Sequence, residues 1–281
     1  MIKRIQSASL KYPFSLVIIG DTAPFPKQEY DETFRALLGQ MNMLRPQPLC
    51  MANLGDFAGP GAMDRHLHYL ELVRDLSIPD ICVIGNHDRD NPIGWEAFEN
   101  VHGPCNYHFA VGNTLVVALN CHPRNGRRRD RSQPDDYVNG PTEVELAYLE
   151  DCLRSDTHPV RFVMMHQPPD FNRRFDGFNG LGFTHLEKEF LQLIRTFRVN
   201  IVCSAHVILY DYCEYEGTAF VTSAGGGYAT DTVFSTPPHR GRFHHFVEIT
   251  VQESGTISGR VIKLSDGAQS LPGFDFAVHQ R

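Results

Sequence analysis

The sequence predicts a single α/β domain with a mixed sheet, and three observations lead there. Short apolar runs recur along most of the chain, and each stops at glycine or a polar residue. Between them lie stretches whose apolar residues repeat every three or four positions. Toward the C-terminus the spacing shifts to a period of two around a glycine turn.

Residues 16–19, 51–54, 81–84, 115–119, 162–165 and 201–203 are rich in Val, Ile, Leu and Met and bounded by turn residues, so each is expected to be a buried strand. Phe34, Leu37, Leu38 and Met41 share one helical face, as do Phe190, Leu193, Ile194 and Phe197. Thr142 with Glu145 and Thr184 with Glu187 have the spacing of a capping box at a helix start. Beyond residue 205, Phe246, Ile249 and Val251 precede the turn Glu253-Ser254-Gly255, and Ile257, Val261 and Ile262 follow it, which predicts antiparallel strands over about 240–264. No repeat or low-complexity linker interrupts the chain, so residues 1–281 are expected to form one domain. Two long stretches, 122–141 and 168–182, are expected to be surface loops.

The 281 residues are 42% hydrophobic, enough for one large core, and 26 Lys and Arg against 33 Asp and Glu leave a charge of -7. That balance opposes the basic footprint of a non-specific nucleic-acid binder or a membrane-surface protein. No apolar stretch near the start is long enough to span a bilayer or to act as a signal peptide. The seven cysteines are scattered and never spaced C-x-x-C, which predicts buried free thiols in a reducing compartment, hence a cytoplasmic protein.

Chemistry concentrates where the runs end. Asp21 in Ile-Gly-Asp, Asp56 in Leu-Gly-Asp, Asn86 and His87 in Gly-Asn-His-Asp, His166 in Met-Met-His-Gln-Pro-Pro and His206 in Ser-Ala-His all follow predicted strands. Singly, each reads as a turn residue or a core histidine. As a set from five strand ends that converge on one rim, they offer carboxylate and amide oxygens with imidazole nitrogens, a mixture suited to Mn, Fe or Zn. Glycine before Asp21, Asp56 and Asn86 is expected to let the chain turn as it leaves each strand. Gly225-Gly226-Gly227 is expected to permit close backbone packing nearby.

These motifs resemble those of the calcineurin-like metallophosphoesterase superfamily over about residues 14–228. The tail Leu209-Tyr210, Gly217 and Val221-Thr222-Ser223-Ala224-Gly225-Gly226 is most similar to the purple and tartrate-resistant acid phosphatase branch. The resemblance implies a mixed-sheet αββα sandwich and a metal-dependent hydrolase of phosphomonoesters or phosphodiesters. It assigns one metal to Asp56, Asn86, His166 and His206, and a second to Asp21, Asp56 and two histidines whose places are taken here by Ala23 and Ile208. The branch's compensating tyrosine falls at Gly59. Tyr30, Tyr137, His122 or His185 could fold in, although nothing in the sequence places them there.

One firmly bound divalent ion is therefore expected, with a small phosphorylated substrate as partner. His87 is implied as proton donor to the leaving group. Asp88 either orients His87, pairs with Arg89 or caps a turn. Arg173 and Arg174, with Arg124, Arg127, Arg128, Arg129 and Arg131, are candidates to clamp phosphate or are simply solvated. Phe171, Phe175, Phe178 and Phe183 either line a lid or anchor a loop. The double loss at Ala23 and Ile208 keeps a second reading open, a degenerate member that binds a metal and a phosphorylated ligand without turnover.

Overall fold

The computed structural model describes residues 1–122, 140–175, 182–228, 240–265 and 270–278. Its elements run α1 (Ile2–Gln6), β1 (Phe14–Ile19), α2 (Gln28–Met43), β2 (Met51–Asn53), α3 (Met63–Leu72), β3 (Asp80–Cys82), α4 (Gly94–His102), β4 (Tyr107–Val111), β5 (Thr114–Leu119), α5 (Glu143–Ser155), β6 (Val160–Met165), α6 (Glu187–Thr196), β7 (Ile201–Ser204), β8 (Tyr210–Tyr215), β9 (Thr218–Ser223), β10 (Arg240–Gly241), β11 (His245–Val251), β12 (Ile257–Lys263) and β13 (Phe276–Val278).

They form two mixed sheets, of order β13-β12-β11-β1-β2-β3 and β10-β8-β9-β7-β6-β5-β4. The parallel centres are β1-β2-β3 in the first sheet and β5-β6-β7-β9 in the second. Antiparallel strands extend the edges, and β11 and β12 form the expected hairpin.

Alternation along β1 shows why its apolar run is unbroken. Leu16 and Ile18 enter the core between the sheets, whereas Val17 and Ile19 enter a second core beneath α2, α3 and α4, with Phe34, Leu37, Tyr69 and Phe98. In β5, Val116 and Ala118 face inward while Leu115, Val117 and Leu119 meet α5 and α6 through Leu149, Phe190 and Ile194. Strands covered on both faces must be apolar at every position, so the layers stack helix, sheet, sheet, helix. The C-terminal hairpin follows the same rule. Val247, Ile249 and Val251 face the other sheet, and Phe246 with Ile262 faces the helices.

The capping box at Thr142 and Glu145 opens α5. That expected at Thr184 is absent: α6 begins at Glu187 itself, after Leu186 in a left-handed conformation with φ 52°, so the glutamate is too early to reach back. All seven cysteines are free, and six of them are buried. No helix among the described residues is long and apolar enough to cross a membrane.

Candidate metal centre

Parallel strands leave a sheet at a common rim. Asp21, Asp56 and Asn86 follow β1, β2 and β3, and His166 and His206 follow β6 and β7. The rims meet face to face. The His206 N–H donates to Asp21 Oδ2 at 2.7 Å, and His166 Nδ1 meets the Leu54 carbonyl at 2.7 Å.

His166 is the pivot. It is fully buried, and its Nδ1 lies 2.7 Å from the Leu54 carbonyl, which can only accept, so that nitrogen carries the proton. Nε2 then faces Asn86 Oδ1 at 3.1 Å, His206 Nδ1 at 3.1 Å and Asp56 Oδ2 at 3.3 Å. Two oxygen acceptors around that nitrogen call for a positive charge among them, which a proton on Nε2 supplies in the free protein and a bound cation would supply in its place. The separations match ligand-to-ligand edges of roughly 3.0–3.4 Å around a cation with bonds of about 2.1 Å. The donor set therefore fits a borderline divalent ion. Among the described residues, Asp56, His166 and His206 are the one group of His, Cys, Asp or Glu with ligand atoms mutually within 4.8 Å.

Electrostatics carry the same imprint. Burial alone would raise Asp56, yet the neighbouring His166 holds it well below the carboxylate range. Burial alone would lower His166, and Asp56 with Asp21 holds it up at about 9. Asp21 is raised to about 7 by burial and, against the pull of His166, by the nearby Asp56. His206 is pushed down to about 3 by burial and His166.

The backbone is strained where it delivers these groups. Asp21, Asp56 and His206 adopt left-handed φ of 55°, 59° and 69°, which costs about 1 to 3 kcal/mol for each residue that carries a Cβ. Hydrogen bonds hold the turns: the Asp21 N–H donates to the Gly55 carbonyl and the Ala23 N–H to the Asp56 carbonyl, both at 2.9 Å. The expected role of the glycines needs correction here, because the aspartates themselves make the turn at 21 and 56. Of Gly20, Gly55 and Gly85, only Gly55 has a positive φ, 102°. Gly20 and Gly85 instead allow close approach, since a Cβ would lie 2.4 Å from Ala205 Cβ at the first and 2.3 Å from the Asp56 N at the second. Gly226 and Gly227 pack on the end of β1, where a Cβ would strike Thr22.

Asp88 neither orients His87 nor simply caps a turn. Its buried carboxylate accepts the N–H groups of Phe57 at 2.9 Å and Ala58 at 2.8 Å through Oδ1, and of Asp56 at 2.9 Å and Gly85 at 2.8 Å through Oδ2. It ties the β2 and β3 rims together. His87 Nδ1 donates instead to Asp90 Oδ2 at 2.8 Å, and the Phe25 ring lies 4.8 Å away. Burial would lower His87, but the Asp90 hydrogen bond and the charges of Asp56 and Asp90 hold it up at about 9.

At the second-metal positions the chain presents the buried methyl of Ala23, and Ile208 with a φ of 56°. Tyr30 packs against Tyr228, His185 is exposed, and Tyr137 lies outside the described residues. His122 has moved in beside the centre, its ring 5.5 Å from His166 and 6.5 Å from His206. Arg174 pairs with Asp211, which Arg240 also engages at 2.6 Å, so its guanidinium serves the fold; Arg173 is exposed on the same turn. The arginines between 124 and 131, and Phe178, lie outside the described residues. Phe171 packs on Phe220, Phe183 on Phe190, and Phe175 on Val207 and Leu209, which makes all three loop anchors.

A two-sheet sandwich that sets carboxylates from one rim against imidazoles from the other defines the metallophosphoesterase class. The chain belongs to the calcineurin-like phosphoesterase family, whose model matches residues 14–210. Three solved structures share its fold. A purple acid phosphatase from yellow lupin (Lupinus luteus) seeds has TM-score 0.70 at 16% identity over 95% of this chain, and this chain spans only 54% of that protein's length. A dimetal phosphatase from Danio rerio has TM-score 0.67 at 14% identity, covering 96% of this chain and 100% of that one. GAP50, the anchor in the inner membrane complex of Plasmodium, has TM-score 0.67 at 13% identity, covering 96% and 90%. No curated protein matches the sequence.

Proposed function

We propose that the chain hydrolyses a small phosphomonoester or phosphodiester with one divalent transition ion, Mn, Fe or Zn, held by Asp56, Asn86, His166 and His206. The observation that carries this reading is the His166 ring, whose Nδ1–H is committed to Leu54 while Nε2 faces oxygen acceptors at 3.1 and 3.3 Å. The ion supplies Lewis acidity: it offsets charge on the phosphoryl group and lowers the pKa of a water.

The chain's own residues do the rest. Leu54 fixes the His166 tautomer, as a buried carbonyl behind a ligand imidazole does in metal sites. Asp21 positions His206, and Asp88 holds the loop that carries Asp56. Asp90 takes the His87 Nδ1–H and holds the ring up at about 9, which leaves Nε2–H to protonate the leaving oxygen, a step worth about 10²- to 10⁴-fold in rate. The free, mostly buried thiols support a reducing compartment such as the cytoplasm.

A second reading, ligand binding without turnover, draws on Ala23, Ile208 and the engagement of Asp21 by His206. Metal analysis of purified protein, run beside a panel of chromogenic phosphate esters, separates the two. Hydrolysis and metal should both be lost in His166→Ala; wild-type turnover no greater than that of His166→Ala and His87→Ala would leave the second reading standing.

A further inference from the structure

His122 is 1% exposed, yet neither ring nitrogen has a hydrogen-bond partner. An unpaired buried imidazole is costly and calls for a water, an ion or a ligand as partner, and His122 is the one histidine among the described residues with both ring nitrogens so placed. Its backbone is fixed on both sides: the N–H donates to Asn120 Oδ1 at 2.8 Å, and the carbonyl accepts Trp95 Nε1–H at 2.9 Å. These two bonds hold the His122 backbone at the end of β5.

Its place is equally specific. β5, β6 and β7 are adjacent parallel strands, and His122, His166 and His206 follow them in that order, forming a row of three imidazoles. Among the charges that act on His122, the first is the Arg89 guanidinium, and His87, held up at about 9, adds to it. Surroundings of that sign suit an anion. His122 lies outside the set of ligand atoms that gather within 4.8 Å, so it stands beside the metal centre rather than in it.

We propose that His122 is a substrate contact whose ring N–H donates to a non-bridging oxygen of the phosphate group bound at this centre. The inference rests on the phosphoesterase reading above. An imidazole carries at least one N–H in either protonation state, and a phosphate offers more acceptor oxygens than one cation and His87 can engage. No comparable donor is available from Ala23 or Ile208 on the other side of the site.

The test uses the full chain loaded with Zn(II) and titrated with inorganic phosphate. His122→Ala should weaken phosphate binding by about 10-fold or more, the scale of a hydrogen bond to a charged group. Zn(II) affinity should stay within about twofold, since His122 is no ligand, and His122→Gln should recover part of the phosphate affinity through its amide N–H. In the wild-type protein, the His122 ring resonances should shift when phosphate is added, a readout independent of whether the variants fold. Unchanged phosphate affinity in folded His122→Ala, or silent His122 resonances, overturns the proposal; so does loss of Zn(II), which would make His122 a ligand. A wild-type protein that takes up no metal or binds no phosphate would instead bring down the underlying phosphoesterase reading.

Discussion

The backbone N–H of His206 donates to Oδ2 of Asp21 at 2.7 Å, across 185 residues of chain. One oxygen of the aspartate that would serve a second metal thus holds in place a histidine assigned to the first. Asp21→Ala should free the strained His206 turn and lower affinity for the first ion by about 10- to 100-fold, the usual effect of losing a group that orients a ligand. Asp21→Asn keeps an acceptor oxygen and should lose far less. Calorimetric metal titration of both variants compares them, and equal losses would mean that charge, not positioning, is what Asp21 supplies.

His87 and Asp90 act as a pair. His87→Ala should keep the metal but lose about 10²-fold or more in kcat, most with poor leaving groups. Asp90→Asn should give a smaller loss of the same kind. A leaving-group series on metal-quantified protein reads the effect, and a flat dependence in both variants would remove His87 from the acid role.

The missing site can be rebuilt. Ala23→His and Ile208→His together should add two imidazoles beside Asp21 and Asp56 and raise affinity for a second equivalent of metal, with far less gain from either alone. Ile208 has a φ of 56°, a conformation that histidine tolerates better than a β-branched residue, so relief of strain offsets part of the cost of the new ring. Absence of cooperativity in the titration would show that the two positions do not face the same ion.

Acid should destabilise the protein through its buried imidazoles. Burial and neighbouring His66 push His102 down to about 3 from 6.5, and burial pushes His245 down to about 4. The unfolded chain therefore binds these protons first as pH falls. The contribution of these two groups to stability is fully present above about pH 6.5 and should be lost progressively as the pH falls from there toward 3 to 4, each with a slope of about 1.4 kcal/mol per pH unit. Chemical denaturation at several pH values should give a shallower slope for His102→Gln, and an unchanged slope would contradict the assignment.

The sequence by itself determined the layered fold and the strand ends that carry the candidate ligands. Those features are local: a run such as 16–19, apolar on both faces, can only be a covered strand, and the residue after it must emerge at a rim. Asp21, Asp56, Asn86, His166 and His206 were legible for that reason. Only the tertiary structure decided which side chains meet there. Asp90 rather than Asp88 holds His87, Asp88 spends its oxygens on four backbone N–H groups, and Arg174 belongs to Asp211. His122 gave no sign of its place because it lies at the end of a run like any other, and its neighbours His166 and His206 come from strands far along the chain. The physical reason is the packing of one sheet on the other: strand position follows from the local pattern, but partner choice follows from the register of two rims that the chain brings together only when folded.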